Sequence, residues 1–81
     1  MSVIVWSKPN CVQCKAVYRA LDKGKVEYEV KNLPDFPEKL EHFKAAGHLG
    51  APVVEALGHT TFSGYQPDAV QAVVANYGKA N

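Results

Sequence analysis

A chain of 81 residues and 8.8 kDa has room for one domain, taken here as 1–81, and too little length for two. Its 47% hydrophobic content excludes an intrinsically disordered chain, and a net charge of +1 excludes a strongly basic nucleic-acid binder or membrane-surface polycation. No basic stretch followed by a long apolar run opens the chain, and Val3–Trp6 is too short to span a bilayer, so a cytoplasmic protein is expected.

The elements follow in chain order. Val3-Ile4-Val5-Trp6 is a continuous apolar run ended by Ser7-Lys8-Pro9-Asn10, the pattern of a strand buried on both faces. From Val12 to Lys23 the apolar positions Cys14, Val17, Tyr18 and Leu21 keep a helical period, and Gly24 stops it. Val26-Glu27-Tyr28-Glu29-Val30 alternates strictly and predicts a second strand. Leu33-Pro34-Asp35-Phe36-Pro37 breaks it. Phe36, Leu40, Phe43 and Ala46 mark a second helix, with Asp35 and Glu38 as a capping pair and Gly47 at its end. Ala51–Ala56 is a third strand, Leu57-Gly58-His59 a turn, and Thr60-Thr61-Phe62 the returning strand of a hairpin. Pro67 and Asp68 suit the first turn of a third helix, whose buried stripe is Val70, Val73, Val74 and Tyr77 and whose end is Gly78. Lys79, Ala80 and Asn81 are expected to fray. The order βαβαββα predicts an α/β thioredoxin fold: a four-stranded mixed sheet flanked by three helices on both faces.

Chemistry concentrates in Cys11-Val12-Gln13-Cys14, which holds both cysteines of the chain. A disulfide across so few residues removes little unfolded-chain entropy, so a bond that forms and breaks explains the pair better than a staple. In a reducing compartment such a disulfide is transient and catalytic. The reactive species in thiol–disulfide exchange is the thiolate. Cys11 falls at a helix N-terminus, where the dipole and unpaired N–H groups favour that form, and Lys8 is the nearest cation in sequence. Cys11 is therefore the expected nucleophile. Cys14, one turn inside the helix, is the expected resolving thiol. A zinc site would need His42, His48 and His59 to complete half a ligand set, and these read better as surface histidines; no metal is expected. Tyr18 and Tyr28 read as packing residues.

Three stretches carry a resemblance that covers essentially the whole chain. They are Trp6-Ser7-Lys8-Pro9-Asn10-Cys11-Val12-Gln13-Cys14, Ala51-Pro52-Val53-Val54 and Phe62-Ser63-Gly64-Tyr65-Gln66-Pro67-Asp68. The first two resemble glutaredoxins in general; the third, with the Val-Gln pair between the cysteines, resembles the NrdH-redoxins. The resemblance implies a dithiol–disulfide oxidoreductase: an electron carrier to ribonucleotide reductase, recharged by thioredoxin reductase. It implies Lys8, Pro9, Val12 and Gln13 around the thiolate. It also implies a cis Pro52, and partner contacts from Ala51, Pro52, Val53, Ser63, Gly64, Tyr65, Gln66, Pro67 and Asp68. NADPH and flavin would belong to the reductase, since this chain has no Gly-rich dinucleotide loop; none is expected to bind here. No nucleic-acid or membrane partner is expected, and the molecule is expected to act as a monomer.

Two departures from the family pattern bear on partner affinity. Phe62 stands where members often carry Trp, and Gln66 where they often carry Arg. Phe keeps the apolar packing and loses an indole donor; Gln loses a charge. Glutathione-binding glutaredoxins usually present Gly-Gly and an acidic pair after the fourth strand, whereas this chain has Gln66-Pro67 there, with bulky Tyr65 before it. A protein reductase is the favoured electron source. Two alternatives stay open: a glutathione-dependent glutaredoxin, and a redox-sensing or metal-binding adaptor that does not turn over.

Overall fold

The structure is a computed structural model and describes residues 3–48 and 50–78. Its elements are β1 (Val3–Ser7), α1 (Val12–Lys23), β2 (Glu29–Asn32), α2 (Pro37–Ala45), β3 (Val53–Ala56), β4 (Phe62–Ser63) and α3 (Pro67–Tyr77), with a 3-10 turn at Leu33–Asp35. The sheet order is β2-β1-β3-β4. β1 runs parallel to β2 with Val5 opposite Val30, and antiparallel to β3 with Val5 opposite Val54. β3 and β4 form the antiparallel hairpin, with Val54 opposite Phe62. This is the expected thioredoxin-like fold.

Strand periodicity divides the core. Side chains alternate across a pleated strand, so β1 sends Val3 and Val5 to one face and Ile4 and Trp6 to the other. On the first face Val3, Val5, Val54, Ala56 and Phe62 meet Val17 and Leu21 of α1 and Val70 and Val73 of α3. On the second, Trp6 and Val53 meet Leu33 and Phe43, with Leu40 packed against them. Helices thus cover both faces, and central β1 has the near-continuous burial expected of it.

Several boundaries differ from the sequence expectation. The second strand is Glu29–Asn32, not Val26–Val30. Lys25 adopts φ 57°, which turns the chain sharply after α1, and Val26 pairs with Gly78 in an isolated bridge outside the sheet. β2 is an edge strand, so its outer positions need no apolar residue, and Val30 is exposed. β3 begins at Val53, because Pro52 has no N–H for the ladder. β4 is Phe62–Ser63 rather than Thr60–Phe62; the turn closed by His59 N–H on the Ala56 carbonyl leaves Thr60 and Thr61 outside the pairing.

Asp35 does not cap α2. It lies in the 3-10 turn and its carboxylate accepts from Asn32 Nδ2 at 3.2 Å. Pro37 takes the first helical position, where a missing N–H costs nothing, and this sets Phe36 as the flanking residue. Ala46 is exposed; Phe36, although 40% exposed, packs edge-on against Trp6 at 5.1 Å from the residue before α2, so the stripe within the helix is Leu40 and Phe43. On α3, Val74 and Tyr77 are half-buried beside fully buried Val70 and Val73. Lys79, Ala80 and Asn81 lie outside the described residues.

Candidate active site

Three loops meet at one end of the sheet: Lys8–Cys11 after β1, Gly50–Pro52 before β3, and Ser63–Gln66 after β4. Asn10, at φ 58°, turns the chain out of β1 and into α1; the left-handed region is one asparagine tolerates well. Cys11 then stands as the residue flanking α1, with extended backbone at φ −101° and ψ 104°. Its Sγ accepts the Cys14 N–H at 3.1 Å, so Cys11 itself caps one of the helix's orphan donors. The first turn of α1 contains no acidic residue to oppose a thiolate.

Cys11 and Cys14 form a disulfide, with Cα atoms 5.2 Å apart. Cys14 is 1% exposed and Cys11 7%, so the approachable sulfur belongs to Cys11. Around it a shallow cleft of about 210 Å³ is lined by Lys8, Asn10, Cys11, Val12, Gln13 and Ala51. A second cleft of about 270 Å³ continues past Lys8 and Ala51 to Leu33, Pro34, Leu40, Lys44 and Gly50. Lys8 and Val12 are exposed, and Val12 is 81% so, an apolar side chain held at the rim of the disulfide. Pro9 is exposed in the same loop.

The Ala51–Pro52 peptide is cis. Pro52 and Val53 are buried, and Ala51, half-buried, borders the cleft with its backbone outside the β3 ladder. Pro52 contributes its carbonyl, which accepts the Gly64 N–H at 2.8 Å.

The Ser63–Asp68 stretch is joined to the first turn of α1 by a side chain. Gln13 Oε1 accepts the Tyr65 N–H at 3.1 Å. Gly64, at φ +75°, makes room for this: a Cβ built there would lie 3.2 Å from Gln13 Oε1. Gln66 folds back so that its Nε2 donates to the Ser63 carbonyl at 2.7 Å, and Phe62 is buried in the core. Pro67 and Asp68 form the first turn of α3, both exposed. Tyr65 is 41% exposed on the same side as the disulfide loop.

Residues from all three predicted stretches therefore border one site. Two histidines, His48 and His59, differ in placement from expectation. His48 is half-buried, and its Nδ1 lies 3.0 Å from Ser63 Oγ, tying the loop before Ala51 to β4. His59 is likewise half-buried, with Nε2 2.7 Å from Asn76 Nδ2. These two are engaged side chains rather than free surface histidines. A contact between residues so far apart in sequence leaves no periodic trace, so nothing in the pattern marks it. Among the described residues no group of three or more His, Cys, Asp or Glu side chains is arranged to hold a metal.

Comparison with known proteins places this geometry. The Glutaredoxin family profile matches residues 3–59. The glutaredoxin-like protein NrdH of Salmonella typhimurium is 36% identical over 70 residues, 86% of this chain and 85% of that one. The NrdH protein of Lactococcus lactis subsp. lactis is 35% identical over 65 residues, 80% of this chain and 89% of its own. The structure of the glutaredoxin-like protein NrdH-redoxin from Escherichia coli superposes with a TM-score of 0.78 at 31% identity, covering 100% of both chains.

Proposed function

The chain belongs to the glutaredoxin family, on its NrdH-redoxin branch of thiol–disulfide oxidoreductases, and from that membership we propose that it is an electron donor to ribonucleotide reductase, recharged by thioredoxin reductase. The cycle starts from the dithiol. Cys11 thiolate attacks one sulfur of a partner disulfide, the partner's sulfur–sulfur bond breaks, and its other sulfur leaves as a thiolate that takes up a proton. Cys14 then loses its proton and attacks Cys11 Sγ, releasing the second partner thiol. Two electrons and two protons pass to the partner, and the Cys11–Cys14 disulfide remains. The reductase returns both. NADPH and flavin reside on that reductase, and this chain's own redox group is the cysteine pair. The protein works as a cytoplasmic monomer; among the described residues no helix is long and apolar enough to cross a membrane.

The observation that carries the choice of electron source is the closed Ser63–Gln66 corner. The Tyr65 N–H is occupied by Gln13 and the Gln66 amide is turned onto Ser63. These groups are satisfied within the chain, and no acidic pair stands at residues 66 and 67 to hold a glutathione amine. Lys8 and Ala51, by contrast, border an open cleft beside Cys11, suited to an extended protein segment. The experiment follows NADPH oxidation with hydroxyethyl disulfide as acceptor, first with thioredoxin reductase and then with glutathione plus glutathione reductase. Turnover is expected in the first system. Turnover confined to the second would overturn the proposal in favour of a glutathione-dependent glutaredoxin. The reduced protein, given as the sole donor to ribonucleotide reductase, is expected to sustain deoxyribonucleotide formation; failure there removes that partner.

A further inference from the structure

Helix α1 has a second side that the thiol chemistry does not use. Lys15, Arg19 and Lys23 recur every four residues, so they share one face of the helix. All three are exposed. None has a carboxylate at ion-pair distance among the described residues. Asp22, the acidic residue of α1, accepts the Tyr28 hydroxyl instead.

Beside this stripe runs a groove of about 610 Å³. Its lining comes from Ala16, Arg19, Ala20 and Lys23 of α1, Gly24 after it, Gln71 and Val74 of α3, and Tyr65. The small residues Ala16, Ala20 and Gly24 keep the floor low; the polar groups on the walls are cationic or neutral, and no carboxylate lines it. Tyr65 gives the groove a direction. Tyr65 is one of the lining residues, and its backbone N–H is bound to Gln13 Oε1 in the first turn of α1, between the two cysteines. The Tyr65 end of the groove is therefore the end nearer the Cys11–Cys14 segment.

We propose that this groove receives an acidic, extended segment flanking the partner's disulfide. The inference rests on the reading that protein disulfides are the substrate. Charge complementarity selects the occupant: an unpaired basic stripe beside a carboxylate-free groove favours Asp- or Glu-rich sequence and disfavours Lys- or Arg-rich sequence. Length fits as well. The 12 residues of α1 rise about 18 Å. About five or six extended residues span that distance. A partner could thus present its disulfide to Cys11 and lay the neighbouring half-dozen residues along α1.

The test uses two synthetic peptides with the same Cys-x-x-Cys disulfide, flanked on each side by about five glutamates or about five lysines. Pre-reduced protein is mixed with each, and the rate of peptide reduction is followed at about 20 mM and about 500 mM salt. The readout is the ratio of the two rates divided by the same ratio measured with dithiothreitol as reductant, which removes the effect of the flanking charges on the peptide's own thiols. A ratio of about five or more in favour of glutamate is expected at low salt, falling toward unity at high salt. Arg19→Glu combined with Lys23→Glu is expected to bring the ratio to unity or below, and Gln71→Lys to raise it. Equal corrected rates for the two peptides at low salt, or an unchanged ratio in the double variant, would overturn the proposal. Reduction of hydroxyethyl disulfide with no reduction of either peptide would instead remove the protein-disulfide reading, and the groove's role with it.

Discussion

At the scale of single residues, the two cysteines are unequal because one N–H points at one sulfur. The Cys14 N–H meets Cys11 Sγ at 3.1 Å, and Cys14 itself is buried. A hydrogen bond to sulfur favours a thiolate and burial favours a neutral thiol, so after reduction Cys11 is expected to be the more reactive of the two. Brief treatment with iodoacetamide at neutral pH, read by mass spectrometry, is therefore expected to label Cys11 first; faster labelling of Cys14 would reverse the assigned roles. Tyr28 offers a separate test. Burial, reinforced by its hydrogen bond to Asp22, pushes its pKa up from 10.0 to about 12. The folded state thus holds this proton where the unfolded chain has released it. The contribution is complete below the unfolded value and is lost as pH rises through the folded one. Urea midpoints should fall from pH 10 toward pH 12, and Tyr28→Phe should fall less over that interval. Tyr18, stacked on Tyr28 with ring centroids 5.9 Å apart, shows that the packing role read from sequence was right, although the Asp22 contact was invisible there.

At the scale of elements, legibility followed the number of neighbours. Helix α1 runs Val12–Lys23, as its period and Gly24 indicate, because one helix face against one sheet is a local pattern. Strand β1 was equally plain, being central and buried on both sides. The second strand was misplaced because Val26 is buried for a different reason: it pairs with Gly78 beyond the end of α3. Alternation records burial, not which partner provides it. This junction is also tight. A Cβ on Gly78 would lie 2.5 Å from the Val74 carbonyl oxygen and 2.6 Å from that of Gly24, both rigid backbone atoms. Gly78→Ala is accordingly expected to destabilise by about 1–3 kcal/mol, seen as a lower urea midpoint. Gly50→Ala, with nothing within 4 Å of its Cβ, should stay near wild type. A Gly78 variant as stable as wild type would show that the two helix ends can part without cost.

At the scale of the whole molecule, two small cores share one sheet, and neither is large. On the α2 side Trp6 packs edge-on against Phe43 and Phe36, with ring centroids 5.8 Å and 5.1 Å away, and Trp6 Nε1 donates to Glu55 at 2.6 Å. Phe43→Ala is expected to cost about 3–5 kcal/mol, a large share of the roughly 5–15 kcal/mol available to a domain of this kind. Differential scanning calorimetry would show the loss as a lowered melting temperature; a small shift would mean that the α2 layer contributes little. The active-site loops hang from this shared sheet. That is why their motifs were readable in sequence while their mutual contacts, Gln13 to Tyr65 and His48 to Ser63, were not. The motifs are local, and the contacts exist only once β1, β3 and β4 lie side by side. The burial of the cysteine pair carries one last consequence. With Cys14 1% exposed and Cys11 7%, the pair meets the surroundings on its Cys11 side, in the cleft by Lys8 and Ala51. Both electrons thus enter and leave through a single terminal, so every exchange partner, small disulfide or protein, must approach the same Cys11 face.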